Sequence, residues 1–233
     1  MSGRRPDRPV RAAVSHQRWD HVVFLHWPVA PPVLSPLLPP GLVLDVVEGA
    51  AWVTVTPLRM QVRPAFGPAV PHLSHFPEVN VRTYVRAPDG SDGLWFLSLE
   101  CPRLPVVAAL RAVGLPYRFA QPRILAGTDR VRVLSHRGRG AAGMRADVTL
   151  GAPLSPDPLT DFLTGRWAAY TRRLGRLWRV GVEHEPWPLR RAQARVDVGA
   201  LLAADGLPGV GGDPLVHYSP GVRARIGLPS PAG

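Results

Sequence analysis

The chain has 233 residues, 45% of them hydrophobic, enough to bury the core of one domain, and a formal charge of +11 carried by 28 basic side chains, all of them arginine. Without a lysine side chain, imine formation at a lysine amine is excluded, because a guanidinium stays protonated and does not attack a carbonyl. The single cysteine, Cys101, excludes an internal disulfide.

Residues 1–14 include Arg4, Arg5, Arg8 and Arg11 and read as a disordered basic arm. The span 15–228 is expected to form one β-barrel-like domain, with a flexible tail at 229–233. No apolar signal core follows the basic start, and the strongest apolar run, 22–25, is far too short to cross a bilayer, so a cytoplasmic protein is expected. That run continues to Val29 and closes at Pro31-Pro32. A short helical turn is predicted over 33–38, before the break at Pro39-Pro40-Gly41. Strands follow at 42–47 and 51–62 around a turn at Glu48-Gly49, with Val53, Val55 and Leu58 as core candidates.

The cleanest period of two covers 78–86. Val79, Val81, Thr83 and Val85 form one face; Glu78, Asn80, Arg82, Tyr84 and Arg86 form the other. A hairpin-like turn at 89–93 leads into a strand over 94–100. A helix is predicted at 106–113, ended by Gly114 and Pro116. Further strands are expected at 117–120, 130–137, 144–150, 179–183 and 193–198. A helix within 157–170 would be capped by Asp157, with Pro158 at its first position. The segment 215–226 closes the sheet. Roughly ten short strands with few helices give an α+β, mainly β class: a curled sheet around a central cavity.

On the polar face of 78–86, Glu78, Asn80, Arg82 and Tyr84 are spaced about 6.6 Å apart for next neighbours. Facing into a closed barrel, they would set a carboxylate, an amide, a guanidinium and a phenol in one cavity. Arg82 could then clamp a substrate carboxylate and Glu78 accept a proton, or neutralise Arg82. Facing outward, the same row would be a solvated surface with cross-strand ion pairs. His26, His184 and His217 stand beside apolar or rigid turn residues, open to a structural, site or metal role. Their spacing matches no metal motif, so no metal and no cofactor is predicted. Cys101 reads as a small buried hydrophobe. There is no Gly-x-Ser-x-Gly elbow or phosphate-binding loop. The arginines are spread without a nucleic-acid motif, so the expected partner is a small molecule. No specific nucleic acid and no membrane are expected, and a homo-oligomer is left open.

Several segments carry a resemblance: Phe24-Leu25-His26-Trp27-Pro28-Val29, Phe76-Pro77-Glu78-Val79-Asn80-Val81-Arg82-Thr83-Tyr84-Val85, Gly93-Leu94-Trp95-Phe96-Leu97-Ser98-Leu99, Gly114-Leu115-Pro116-Tyr117, His184-Glu185-Pro186-Trp187-Pro188-Leu189 and His217-Tyr218-Ser219. In this order they resemble the uncharacterised DUF2071, or YqjF-like, family. That family is similar in fold to acetoacetate decarboxylase, a cone-shaped β-barrel around an internal cavity. Gly114-Leu115-Pro116 is similar to the lead-in of the decarboxylase lysine pair. The resemblance places Tyr117 where the Schiff-base nucleophile would stand and Arg118 at the neighbouring cation, and matches Glu78 to the acidic residue of the pocket wall. A phenol forms no imine. The resemblance therefore implies a cavity without Schiff-base decarboxylase chemistry, binding a small apolar carboxylate or carbonyl compound. One alternative is a lyase or isomerase-like enzyme using Glu78, Arg82 and Tyr117, the phenol acidified by adjacent arginines. The other is a structural or partner-binding protein.

Overall fold

The structure is a computed structural model that describes residues 4–6, 8–138 and 142–232. The first strand, β1 (Ala13–Val29), is long and apolar at its centre; the proline pair then opens α1 (Pro31–Leu34). The short β2 (Val43–Leu44) precedes three antiparallel strands: β3 (Ala51–Pro64), β4 (His75–Arg86) and β5 (Asp92–Cys101). Then come α2 (Leu104–Ala112), β6 (Tyr117–Phe119), β7 (Arg123–Ala126), β8 (Arg130–Arg137) and β9 (Ala142–Pro153). The chain returns through α3 (Pro158–Thr164), β10 (Ala168–Arg173), β11 (Arg176–His184), β12 (Arg190–Asp197), α4 (Gly199–Ala204) and β13 (Leu215–Pro231).

Seven of these strands run in the order β1-β3-β4-β5-β10-β11-β13, and β13 pairs back onto β1, closing a barrel. Closure removes the sheet edges on this circuit. It also requires bends. Pairing of β1 with β3 shifts register between Asp20 and Leu25, where His21 adopts a positive φ of 51°. Opposite Asp20, Gly221 has a φ of 146°, and a Cβ there would lie 2.3 Å from the Trp19 carbonyl oxygen. Only glycine allows the backbones to approach so closely.

From β13 a second layer, β12-β9-β8-β7, folds back over the barrel. This layer explains the alternation in β4. Val79 and Val81 join Val23, Leu25, Val53 and Val55 in the main core, packed with Val131, Val133, Ala146 and Val148 of the outer layer. The other parity of β1 and β4 (Val22, Phe24, Glu78, Asn80 and Arg82) faces the barrel interior. Both faces of β4 are thus buried, one dry and one polar.

The boundaries differ from the sequence reading where tertiary packing decides them. Asp157 caps α3 as expected, accepting from the Thr160 N–H at 2.7 Å, and the helix lies within the expected span, ending at Thr164. Gly165 follows, and the buried residues Ala168 to Tyr170 belong to the strand β10. The last residues of β13 pair with β11, Arg179 opposite Ser230. Part of the basic segment expected as an arm also lies on the barrel. The Val10 N–H donates to Glu183 Oε2 at 2.7 Å, and its side chain is buried beside Gly181 and Gly227. Arg4 forms an ion pair with Asp92. Residues 1–3 and 7 of the expected arm, and 233 of the expected tail, lie outside the described residues.

Candidate functional site

Inside the barrel is a cavity of ≈ 170 Å³. Phe24, Leu58, Met60, Phe96, Leu99 and Leu115 make most of its wall apolar, and Trp19 and Trp187 belong to the same lining. The two indoles stack at 6.0 Å between ring centroids, and Trp187 Nε1–H donates to the Thr164 carbonyl at 3.0 Å. The cavity's polar part includes Thr56 from β3, Glu78, Asn80 and Arg82 from β4, Tyr117 from β6, Arg166 before β10, and His184 at the end of β11.

Tyr117 arrives through a constrained turn. Gly114 has a φ of 91°, and a Cβ there would meet the Arg172 carbonyl oxygen at 2.6 Å. Its carbonyl accepts from Thr171 Oγ1 at 2.7 Å. From this anchor the chain enters β6 parallel to β5, turning Tyr117 inward; its hydroxyl donates to Glu78 Oε2 at 2.7 Å. Asn80 Nδ2 makes a longer contact of 3.5 Å to Glu78 Oε1. Burial pushes the Glu78 carboxyl up to about 7, although the bonds from Tyr117 and Asn80 favour its charged form. Burial, together with the facing Glu78 charge, pushes the Tyr117 phenol well above 10. This corrects the expected acidification by arginine: next neighbours on a strand face opposite ways, so Arg118 is exposed and away from the cavity. Tyr117 is a hydrogen-bond donor here, and Glu78 is the group that titrates near neutrality.

Arg82 is 9% exposed, and among the described residues no carboxylate forms an ion pair with it. Its guanidinium lies 5.4 Å from the Phe24 ring centroid, and the Tyr84 hydroxyl supports its charge, which burial opposes. Arg166 differs sharply. It pairs with Asp45 at 2.6 Å and Asp92 at 2.5 Å, and donates to the Phe162 carbonyl at 2.8 Å.

Of the remaining predicted residues, Tyr84, His26 and His217 lie outside the lining. Tyr84 donates to the Leu163 carbonyl at 2.7 Å and meets Thr54 Oγ1 at 2.6 Å; His26 Nδ1 meets the same hydroxyl at 2.8 Å. With the Tyr84 proton directed to Leu163, the Thr54 proton points at Tyr84 and the His26 proton sits on Nδ1. His217 packs against His26 at 5.3 Å between ring centroids and lines a separate surface crevice with Asp157 and Arg191. His184 does reach the cavity, where Trp167 and Trp187 flank it at 4.4 and 4.6 Å. Its Nδ1 lies 2.6 Å from the Glu185 carbonyl, which only accepts, so the proton is on Nδ1. Burial lowers both His184 and His217 to about 4, and His26 well below its ordinary value. No cluster of three metal-ligating side chains forms among the described residues. Cys101 is fully buried, and its thiol is pushed up to about 12 by burial.

Among the polar lining residues, Thr56 and Arg166 were not singled out from sequence, nor were Gln17, Thr164 and Thr171. Thr56 follows Val55 on β3, where the alternation that put Val53 and Val55 in the core pointed the threonines the other way. Arg166, a lone charge between Gly165 and the apolar Trp167-Ala168-Ala169-Tyr170, carried a weaker signal.

A closed barrel with an outer sheet layer and a mixed polar and apolar interior defines the acetoacetate decarboxylase-like fold, and solved structures agree. The enduracididine biosynthesis enzyme MppR, complexed with the condensation product of pyruvate and imidazole 4-carboxaldehyde, superposes with a TM-score of 0.71 at 14% identity, covering 95% of this chain and 90% of that one. An acetoacetate decarboxylase-like enzyme from Sphingomonas wittichii RW1 gives 0.70 at 13% identity, covering 99% and 98%. In sequence, residues 16–223 match the DUF2071 family model, described as an uncharacterized conserved protein. The uncharacterized protein YqjF of Bacillus subtilis is 34% identical over 212 residues, 88% of this chain and 87% of its own length. The chain belongs to the DUF2071 family. Among the described residues no helix is long and apolar enough to cross a membrane.

Proposed function

We propose that this protein binds a small, largely apolar carboxylate inside the barrel, with Arg82 as the cation that receives it. The observation that carries the reading is the state of Arg82: a guanidinium nine-tenths buried on the cavity wall, with no carboxylate paired to it among the described residues. An unpaired buried charge costs several kcal/mol, roughly what an arriving anion would offset. The volume supports a small guest, since a cavity of about 150 Å³ takes a molecule the size of benzene. A structural neighbour, MppR, is solved in complex with pyruvate, a small carboxylate, which is consistent with this use of the fold. Lysine-dependent imine chemistry is outside the reading, because the sequence has no lysine and Tyr117 bonds to Glu78.

The test is calorimetric titration with short carboxylates at neutral pH and low salt, on the wild type and Arg82→Met. Saturable binding by the wild type, at least tenfold weaker in the variant, is expected, because loss of a desolvated charge partner costs about 2–5 kcal/mol. Equal affinity in both proteins would sink the assignment. A proton-transfer role is favoured by one further observation, the Glu78 carboxyl at about 7 bonded to Tyr117. Under that reading, turnover of a bound carboxylate would rise or fall through pH 7 and vanish in Glu78→Gln; a flat pH profile would remove Glu78 from any chemistry.

A further inference from the structure

We infer that the cavity's guest is a short hydroxy acid, bound by its carboxylate at Arg82 and by its hydroxyl between Asn80 Oδ1 and Thr56 Oγ1. This rests on the carboxylate reading above and narrows it to one chemical class. Three buried polar atoms on the cavity wall have no hydrogen-bond partner among the described residues: Arg82 Nε, Asn80 Oδ1 and Thr56 Oγ1. All three side chains are at least nine-tenths buried. They also cluster. Thr56 stands directly opposite Asn80 across the β3–β4 pairing, and Arg82 follows two residues along the same face of β4, about 6.6 Å away. Of the ten buried side-chain atoms without a partner among the described residues, these three alone lie on the cavity wall, where a guest can meet them, and they describe its polar groups.

Their donor and acceptor character sets the class. The Asn80 amide turns its NH2 toward Glu78 Oε1, while Tyr117 donates to the other carboxyl oxygen. The amide oxygen is left for the cavity, and an amide oxygen accepts without donating. Whatever meets it must carry a hydrogen. A ketone would set one lone pair against another. A hydroxyl can donate to Asn80 and accept from Thr56 at once, which satisfies both orphans. A protonated amine also carries hydrogen, but it only donates and cannot take the Thr56 proton, so that hydroxyl's donor stays unspent. The remaining wall (Phe24, Leu58, Met60, Phe96, Leu99) suits a short alkyl chain, and the volume limits the whole molecule to on the order of six to eight non-hydrogen atoms.

The experiment compares matched ligands on the unaltered protein: 2-hydroxybutyrate, 2-oxobutyrate, 2-aminobutyrate and butyrate, and 3-hydroxybutyrate against acetoacetate, by isothermal titration at pH 8 and low salt. At least one hydroxy acid is expected to bind ten times or more tighter than its oxo, amino and unsubstituted counterparts, because a site built to bond a hydroxyl rejects analogues that leave its groups unpaired. Asn80→Leu should erase that preference while retaining carboxylate binding; Asn80→Ala, which likewise has no side-chain acceptor, serves if the leucine variant does not fold. An oxo or amino acid that binds as tightly as the hydroxy acid overturns the inference and leaves the carboxylate reading standing, as does a preference that survives loss of Asn80. Binding of none of these acids counts against the carboxylate reading itself.

Discussion

Two guanidiniums reach the same cavity, and their surroundings teach different things. Arg166 is held by Asp45, Asp92 and the Phe162 carbonyl, and its planar head lies 4.2 Å from the Phe162 ring centroid. The same carboxylates pair with Arg86 and Arg4, so the network ties β2's loop, the start of β5 and the N-terminal segment together. Its charges are balanced within the chain. Arg82 has an aromatic face, a phenol and an apolar wall, but no counter-charge among the described residues. A cation that is fully matched belongs to the frame; a buried cation without a match is a cost that folding alone does not explain.

That contrast predicts opposite responses to the same substitution. Arg166→Met leaves Asp45 and Asp92 buried without their shared partner, and breaking such a network costs about 3–5 kcal/mol. For a chain of this length the melting temperature should fall by roughly 10 °C. In ligand-free protein, Arg82→Met should melt no lower than the wild type, because it replaces an unpaired buried charge with a side chain of similar volume. Differential scanning calorimetry of the two variants decides the matter. If Arg82→Met is destabilised as severely as Arg166→Met, Arg82 has an internal partner and the comparison collapses.

The acid beside Arg82 gives a second, smaller effect. Glu78 is raised from 4.5 to about 7 in the folded state. Between those values the native protein holds a proton that the unfolded chain has lost, so this group's stabilising contribution fades as pH rises through 7. The displacement corresponds to about 3 kcal/mol. Glu78→Gln should therefore gain stability relative to the wild type by up to about 3 kcal/mol between pH 4.5 and pH 8, measured by urea denaturation at both. Subtracting one protein from the other cancels the opposing titration of His26, His184 and His217. A difference that does not change with pH would mean that Glu78 is solvated.

The polar row on β4 was legible because a strand's alternation is local: Glu78, Asn80 and Arg82 share a face whatever the fold. Which face lay inward was not local, and only the outer layer of β7, β8, β9 and β12, packed on Val79 and Val81, settled it. The resemblance at Gly114-Leu115-Pro116 brought Tyr117 toward Glu78, but it carried Arg118 with it, and strand geometry sends adjacent side chains apart. His26, His217 and Tyr84 were recognisable as unusual polar groups. Their place behind the lining depends on Thr54 and on the Leu163 carbonyl, partners 28 and 79 residues distant from His26 and Tyr84. Arg166 was missed because its two carboxylates are 121 and 74 residues away in sequence. Period and propensity do not report pairings at such separations.

Tyr117 sharpens the difference between the two cations further, with the smallest effect. Its hydroxyl donates to Glu78 and so stabilises the carboxylate beside Arg82. Tyr117→Phe removes that donor without opening a cavity or adding charge, and a hydrogen bond to a charged group is worth about 1.5–3 kcal/mol. The Glu78 carboxyl should then titrate above 7 by about one pKa unit or more, which carbon-detected NMR of the labelled carboxyl can follow. More of Glu78 would be neutral at pH 7.5, leaving less negative charge in the wall to repel an incoming anion. Carboxylate affinity at that pH should therefore hold or rise slightly in Tyr117→Phe, whereas in Arg82→Met it should be lost. If Tyr117→Phe instead abolishes binding as Arg82→Met does, the phenol touches the guest directly, and the carboxylate is seated at the Glu78 end of the row.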